Sequence, residues 1–469
     1  MPAGRHHHAG AAVRERGSTC GSPPRSAAES VQGVRVRLRL VTRDDASAAV
    51  CVDVGSTWTK AVLVRSDGVL AGFAEHPTTV ADVLTGVDAA VRAVVAAAPG
   101  AAEPELLACS SAGGGLRLAV VGSERLTAEE AAHRVARSAG ARVVHVHTGP
   151  LDPSDVRILR GSRPGAVLLI GGADGDDPAP LLNNAARLAR ARVRFPIVLA
   201  GNEAARDDAI ALLTAAGRTV VACPNVAPRL GELVPGPVRA ALAQLYADHV
   251  LGRRGPSAAP RFRRMVRVGT PDVVAEGAAL LARMLGVQVL VVDVGCATTD
   301  VHCAIPDDGS RLTIEGDLGM RAAAAGVLVE GQAQGVVDPV EADLLGPTVE
   351  RMTNEVGYVP RDPGSAAEDR RIAALAAVLA VRRHVVAHES DLPGDIGLLV
   401  LTGGVFRRPD GYALAAVVAT LRTDVELAGL LATARVAVDA DFAVAPAGML
   451  AAAGHGEAAR TLLQDHLLG

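Results

Sequence analysis

One short pattern occurs twice in this chain. Asp53-Val54-Gly55-Ser56-Thr57-Trp58-Thr59-Lys60 matches Asp293-Val294-Gly295-Cys296-Ala297-Thr298-Thr299-Asp300, and each copy follows an apolar β run and leads into another. A strand–turn–strand unit repeated so far apart implies two similar lobes facing each other across a cleft. Gly55 allows a tight turn whose successive backbone N–H groups form a concave anion site. Ser56, Thr57 and Thr59 add hydroxyl donors, and Lys60 adds a point charge suited to phosphate. Asp53, at the strand end, repels phosphate directly but can hold Mg²⁺ through water. The second copy supplies Asp293, Gly295, Thr298 and Thr299. Either copy alone reads better as an ordinary glycine hairpin. Together they favour phosphate binding, the more so because Lys60 is the only lysine among 47 basic residues. Asp53 and Asp293 are the candidate catalytic residues and the candidate holders of the metal's water shell.

The rest of the chain alternates apolar strands with Ala-rich helical stretches. β runs are expected at Val50–Val54, Ala61–Val64, Leu106–Ala108, Val143–His147, Ala166–Ile170, Ile197–Ala200, Thr219–Ala222, Val289–Val294 and Leu398–Thr402. Helical stretches are expected over 80–98, 127–139, 179–191, 203–216, 272–285, 366–388 and 412–431. This alternation indicates an α/β protein with mostly parallel sheets. Residues 1–45 differ, with Gly, Pro, Ser, a His6-His7-His8 run and an excess of arginine over acid, and read as a disordered arm. Within it, the alternation of Val34, Val36 and Leu38 with Arg35, Arg37 and Arg39 also permits a short strand. Residues 46–100 and 263–469 read as the two lobes, and 101–262 as an inserted α/β domain that engages a partner.

Composition removes several function classes. A net charge of −4 and only 2% aromatic residues argue against nucleic-acid binding. No uncharged apolar run approaches the ~20 residues that a membrane span needs. The six cysteines form no CxxC pair, so neither a zinc ribbon nor a redox dithiol is indicated, and the expected setting is reducing and cytoplasmic.

A third element, Leu398-Leu399-Val400-Leu401-Thr402-Gly403-Gly404-Val405-Phe406, is a buried strand ending in two glycines, where a backbone could approach a flat adenosine. The order DxGST…K, DxG…TTD and strand–GG resembles the actin/sugar-kinase/heat-shock-chaperone ATPase superfamily. Pro271–Leu281 and Asp441–Gly448 look like its two connecting helices. Within that superfamily, residues 49–469 most resemble the glutamate mutase MutL/GlmL group, accessory proteins encoded with adenosylcobalamin-dependent mutases and not the mismatch-repair MutL. The distinctive stretches are Ala108–Arg117, Gly171–Gly175, Ala200-Gly201-Asn202 and Glu315–Arg321. Cys296 departs from the motif, which more often has Gly there.

The resemblance implies a two-lobed actin-like ATPase with duplicated ribonuclease-H-like lobes. It implies ATP and Mg as cofactors, with Gly55, Ser56, Thr57, Thr59, Lys60, Gly295, Thr298, Thr299, Gly403 and Gly404 at the nucleotide. It also implies a chaperone-like, reactivating role with mutase subunits as partners, and a slow ATPase working as a conformational switch. A carbohydrate or acid kinase and an actin-like filament protein are the alternatives. A kinase needs a carboxylate base, for which Asp272, Glu276 and Asp317 are candidates. His384 with His388, His145 with His147, and Cys109 read as structural residues, since none sits in a recognisable metal or nucleophile pattern.

Overall fold

The two repeated segments fold as the same hairpin. In the first, Val52 opposes Ala61, Asp53 opposes Lys60 and Val54 opposes Thr59; in the second, Val292 opposes Val301, Asp293 opposes Asp300 and Val294 opposes Thr299. Each turn is closed by one backbone bond, Gly55 N to Trp58 O at 3.1 Å and Gly295 N to Thr298 O at 2.9 Å. The computed structural model describes residues 29–31, 34–38, 48–79, 82–96, 104–111, 116–124, 141–191, 193, 195–229, 231–234, 236–245, 260–321, 323–388, 394–407 and 411–469. The helical stretch expected at 127–139 lies outside them.

The chain enters through β1 (Glu29–Val31) and β2 (Val34–Leu38), then β3 (Ala48–Val54), β4 (Trp58–Arg65), β5 (Leu70–Pro77), α1 (Val83–Ala96) and β6 (Glu105–Ser110). It then builds a separate unit from β7 (Leu116–Gly122), β8 (Ala141–Thr148), α2 (Pro153–Gly161), β9 (Ala166–Leu169), α3 (Ala179–Arg190), β10 (Ile197–Leu199), α4 (Arg206–Ala215), β11 (Val220–Ala222) and α5 (Gly236–Leu245). It returns through α6 (Pro260–Met265) and β12 (Val266–Gly269) and crosses on α7 (Thr270–Leu285). The second lobe follows as β13 (Val289–Val294), β14 (Thr299–Ile305), β15 (Gly309–Glu315), α8 (Ala324–Ala333), α9 (Pro339–Asn354), α10 (Pro363–Ala387), β16 (Leu398–Thr402), α11 (Gly411–Thr423), β17 (Arg435–Val438), α12 (Val444–Ala452) and α13 (Gly456–Leu463).

Strand order shows the duplication. The second lobe runs β15-β14-β13-β16-β17, and the first runs β5-β4-β3-β6-β12 with β2 and β1 added at its edge. In both, the first three strands are antiparallel and the last two join parallel to the central one. The architecture is therefore α/β with two copies of one ribonuclease-H-like lobe. The inserted unit has an all-parallel sheet, β11-β10-β9-β7-β8, with a buried apolar cluster on each face. Continuous apolar strands such as Ala166–Leu169 are what a sheet covered on both faces requires.

Some sequence boundaries shift. Part of the segment read as a disordered arm is extended: Val34–Leu38 pairs antiparallel with β5, and Glu29–Val31 pairs with it in turn. The backbone groups of an open sheet edge reward an alternating segment nearby. Residues 1–28 lie outside the described residues. Glu105–Ser110 falls inside the range 101–262 but lies between β3 and β12 in the first lobe's sheet, so the inserted unit starts after it. The helix expected over 412–431 ends at Thr423, because Arg382 holds Asp424 at 2.7 Å and fixes a turn there. Among the described residues no helix is long and apolar enough to cross a membrane.

One core joins the lobes. Residues of β3, β4, β13 and β16 share it with α7, α12 and α13. α7 and α12 cross at Gly277 and Gly448, where a Cβ on either glycine would overlap the partner helix's backbone, at Val444 and Val273 respectively. Gly448→Ala is expected to cost about 1–3 kcal/mol, because the helices must separate to admit a methyl group. A fall in the urea midpoint with unchanged slope checks it, and a wild-type midpoint would show that the crossing tolerates side chains.

The second lobe's core contains an unusual polar group. Both ring nitrogens of His302, on β14, are buried without a hydrogen bond among the described residues. Burial pushes its pKa down to about 3. The unfolded chain would bind a proton near the ordinary value of about 6.5. The contribution of neutral His302 to stability is therefore complete above that pH. It is lost as pH falls towards 3, by up to about 1.4 kcal/mol per pH unit. His302→Leu is expected to raise stability more at pH 5 than at pH 8, which urea titrations at both pH values test. An equal effect at both would contradict a neutral, proton-excluding site.

Candidate functional site

The two hairpins and the strand–Gly-Gly turn converge on one cleft. It is lined by Asp53, Lys60, Thr270, Val274, Asp293, Thr402, Gly403, Arg407, Phe442 and Ala445. Four sequence-derived residues, Asp53, Lys60, Asp293 and Gly403, thus meet in one place. Gly403 has φ +122°, and a Cβ there would overlap the Val294 carbonyl, so this turn sits directly on the end of β13. A side chain would both strain the backbone and push the lobe's central strand away.

Asp53 is 1% exposed and fully engaged. Lys60 Nζ donates to Oδ2 at 2.9 Å, and Thr270 Oγ1 donates to Oδ1 at 2.6 Å. Burial, the largest influence, and Arg407 pull the Lys60 pKa down, but the Asp53 and Asp293 carboxylates together hold it above its ordinary value. The Asp293 carboxylate, by contrast, has no hydrogen bond or ion pair among the described residues. Desolvation pushes its pKa up to about 6; Lys60 opposes the rise, while Asp53 and Asp439 add to it. Asp439 accepts Thr402 Oγ1 at 2.8 Å and Ala443 N at 2.5 Å, tying the strand–Gly-Gly turn to the start of α12.

These carboxylates suit a hard cation. Among the described residues no group of three or more His, Cys, Asp or Glu side chains could enclose a metal directly. A cation here would therefore keep most of its water, as Mg²⁺ does. Asp293 is the carboxylate free to meet that water, whereas Asp53 is committed to Lys60 and Thr270.

The hydroxyls divide into two sets. Thr59 bonds Thr78 at 2.9 Å, Thr78 donates to Gly55 O, and Thr299 donates to Leu318 O at 2.6 Å, so both motif threonines brace their turns from beneath. Burial pushes the Asp300 carboxyl well above its ordinary value, with the Asp293 charge adding to the rise and the Thr298 hydroxyl opposing it. Ser56 and Thr57 stand on the first turn, half-buried, and Thr57 Oγ1 has no hydrogen bond among the described residues. Gly404 is exposed beside Gly403, and Cys296 is half-buried on the second turn.

The stretch Glu315–Arg321 wraps that second turn: Met320 N and Arg321 N donate to Gly295 O and Cys296 O, each at 2.9 Å. In the inserted unit, buried Asn202 and Asn225 donate to Asp176 O and Gly172 O, which accounts for the AGN and GGADG stretches as loop braces. The three candidate bases are engaged away from the cleft. Asp272 accepts the Gly269 N–H at the start of α7, Glu276 pairs with Arg283, and Asp317 holds Arg383. Cys109 is buried, and burial pushes its thiol well up, which removes it as a nucleophile.

Sequence reading missed Thr270, Arg407, Phe442 and Asp439. No local motif marks Thr270, Arg407 or Asp439, and the Asp441–Gly448 stretch marks Phe442 only as part of a connecting helix; packing of α7, β16 and α12 brings Thr270, Arg407 and Phe442 to the cleft and sets Asp439 to brace it. The one available signal is scarcity: with five phenylalanines in the chain, Phe73 and Phe442 meeting edge to face at 6.4 Å is a concentrated use of them.

A family model described as MutL protein matches residues 49–467. Protein MutL of Clostridium tetanomorphum is 31% identical over 372 residues, 73% of this chain and 80% of that protein. Among solved structures, nucleotide-free acetone carboxylase aligns at TM-score 0.31 and 14% identity. It covers 75% of this chain, while this chain spans 62% of that one, less than two thirds of its length. A ROK family glucokinase from Streptomyces griseus aligns at TM-score 0.31, 12% identity and 80% and 88% coverage. The ethanolamine utilization protein EutJ from Carboxydothermus hydrogenoformans aligns at 0.26, 13% identity and 88% and 89% coverage.

Proposed function

This chain belongs to the MutL protein family, and from that premise we propose that it is an ATP-binding accessory protein of an adenosylcobalamin-dependent mutase, such as glutamate mutase. The observation that carries the reading is the meeting of two hairpins of the same register, at Lys60 and Asp293, in one cleft, backed by the Gly403 turn. Lys60 and the two turns would hold the phosphates, and Asp293 the water shell of Mg²⁺. The metal would supply charge neutralisation along the phosphate chain. Gly403 would let the backbone lie close to the adenosine.

The chain's own residues favour a switch over a kinase. Asp272, Glu276 and Asp317, the bases that the sequence offered for a hydroxyl substrate, are occupied elsewhere, and the unpaired carboxylate of the cleft, Asp293, is the one assigned to the metal's water. Hydrolysis needs only a positioned water, and Asp293 is the group placed to orient one. Nucleotide state would then alter the angle between lobes that share the α7–α12 crossing, and so the grip on mutase subunits. The inserted unit is the proposed surface for that partner.

Mg-ATP is expected to stabilise the protein by about 2.7 kcal/mol at ~100 times its dissociation constant. Thermal melts measure it, and no shift at millimolar nucleotide would sink the assignment. Recovery of co-purified mutase subunits should differ between ATP and ADP, because only differential affinity does switching work. Equal recovery would reduce the protein to a scaffold.

A further inference from the structure

The proposed nucleotide contacts leave one cation of the cleft without a role. Arg407 follows the Gly403 turn, and its guanidinium carbon lies 5.5 Å from the centre of the Phe73 ring and 5.7 Å from that of Phe442. The same Phe442 ring carries Lys60 Nζ at 5.0 Å, so two cations share one aromatic platform. Phe442 itself has φ +57°, a left-handed conformation that a bulky residue adopts only where its surroundings enforce it.

The two cations are unequally satisfied. Lys60 makes a 2.9 Å bond to Asp53. Arg407 reaches Glu75 Oε2 at 3.4 Å, and the Nη1 that does so makes no hydrogen bond among the described residues. Its side chain is only 12% exposed, so an N–H group is withheld from water without full return. A guanidinium offers five donors in a planar fork that matches phosphate oxygens. Arg407 and Phe442 belong to the second lobe, and Phe73 and Glu75 to the first, so the Arg407–Glu75 pair spans the cleft.

We propose that Arg407 is a phosphate-binding residue of the cleft and that Glu75 holds its guanidinium until phosphate takes it. The exchange trades an ion pair between lobes for a ligand contact. Occupancy of the cleft is thereby tied to the lobe angle. This inference rests on the nucleotide reading above and deepens it.

The test is calorimetric titration of the full chain with Mg-ATP and, separately, with adenosine. Arg407→Gln is expected to weaken Mg-ATP by about 10-fold or more, with adenosine unaffected. Arg407→Lys should recover part of the loss. Glu75→Gln removes the competitor and should tighten Mg-ATP several-fold, a direction that a purely structural pair would not give. Unchanged Mg-ATP affinity in Arg407→Gln, an equal loss for adenosine, or no tightening in Glu75→Gln would overturn the assignment. In those cases wild-type binding remains and the nucleotide reading stands. If the wild-type protein binds neither ligand, that reading falls first. Should Arg407→Gln fail to fold, the sign of the Glu75→Gln effect decides.

Discussion

Replacing Arg383 with methionine is expected to lower the stability of this protein by about 3–5 kcal/mol, the range for breaking a buried ion pair from one side. Arg383, on α10, is 8% exposed and meets Glu315 at 2.8 Å, Asp317 at 2.8 Å and Glu330 at 3.0 Å. Asp317 is solvated enough to do without it, but Glu315 is 2% exposed and would lose its 2.8 Å guanidinium partner while still buried. Glu315 begins the stretch that wraps the second hairpin turn, so the loss should also loosen the backbone bonds from Met320 and Arg321 to that turn. Urea unfolding gives the size. Pairing Arg383→Met with Glu315→Gln should recover part of the cost, since the buried charge that lost its guanidinium is then gone. A single variant within 1 kcal/mol of wild type, roughly the worth of a surface ion pair, would show that the network carries no structural weight.

Lys60→Ala is expected to weaken Mg-ATP binding by roughly 10- to 150-fold, the equivalent of one charge-assisted hydrogen bond of ~1.5–3 kcal/mol. The same change strips Asp53 of its 2.9 Å partner and leaves Thr270 as its remaining strong donor, so stability should fall as well. The two effects separate if affinity is measured well below the variant's melting temperature. Trp58, the single tryptophan, lies on the same turn and serves as the reporter: its fluorescence should respond to Mg-ATP and saturate. Lys60→Arg should not restore affinity fully, because the planar fork cannot replace a compact ammonium above the Phe442 ring and against Asp53. A wild-type titration curve for Lys60→Ala would remove Lys60 from the site.

How far the sequence reaches is clearest at the two hairpins. The paired Asp-x-Gly segments alone determined that the chain holds two like lobes, and their alignment, Asp53 with Asp293 and Lys60 with Asp300, is the register that the strands adopt. That follows because turn chemistry and strand periodicity are local, and local terms are written in adjacent residues. The apolar strands beginning at Val289 and Leu398 were legible for the same reason.

Tertiary structure decided what the site's groups are free to do. Thr59 and Thr299 sit in motif positions, yet their hydroxyls are spent on Thr78 and Leu318, partners that only the folded loops bring near. Asp53 and Asp293 look equivalent in sequence. They differ because α7 delivers Thr270 to the first and the cleft leaves the second without a partner among the described residues. Arg407 and Phe442 entered the cleft, and Asp439 came to brace it through Thr402, by the crossing of α7 and α12, which depends on the absence of a side chain at Gly277 and Gly448. A helix crossing is set by shape across hundreds of residues of chain. No window of sequence records it, and the electrostatics of the cleft follow from it.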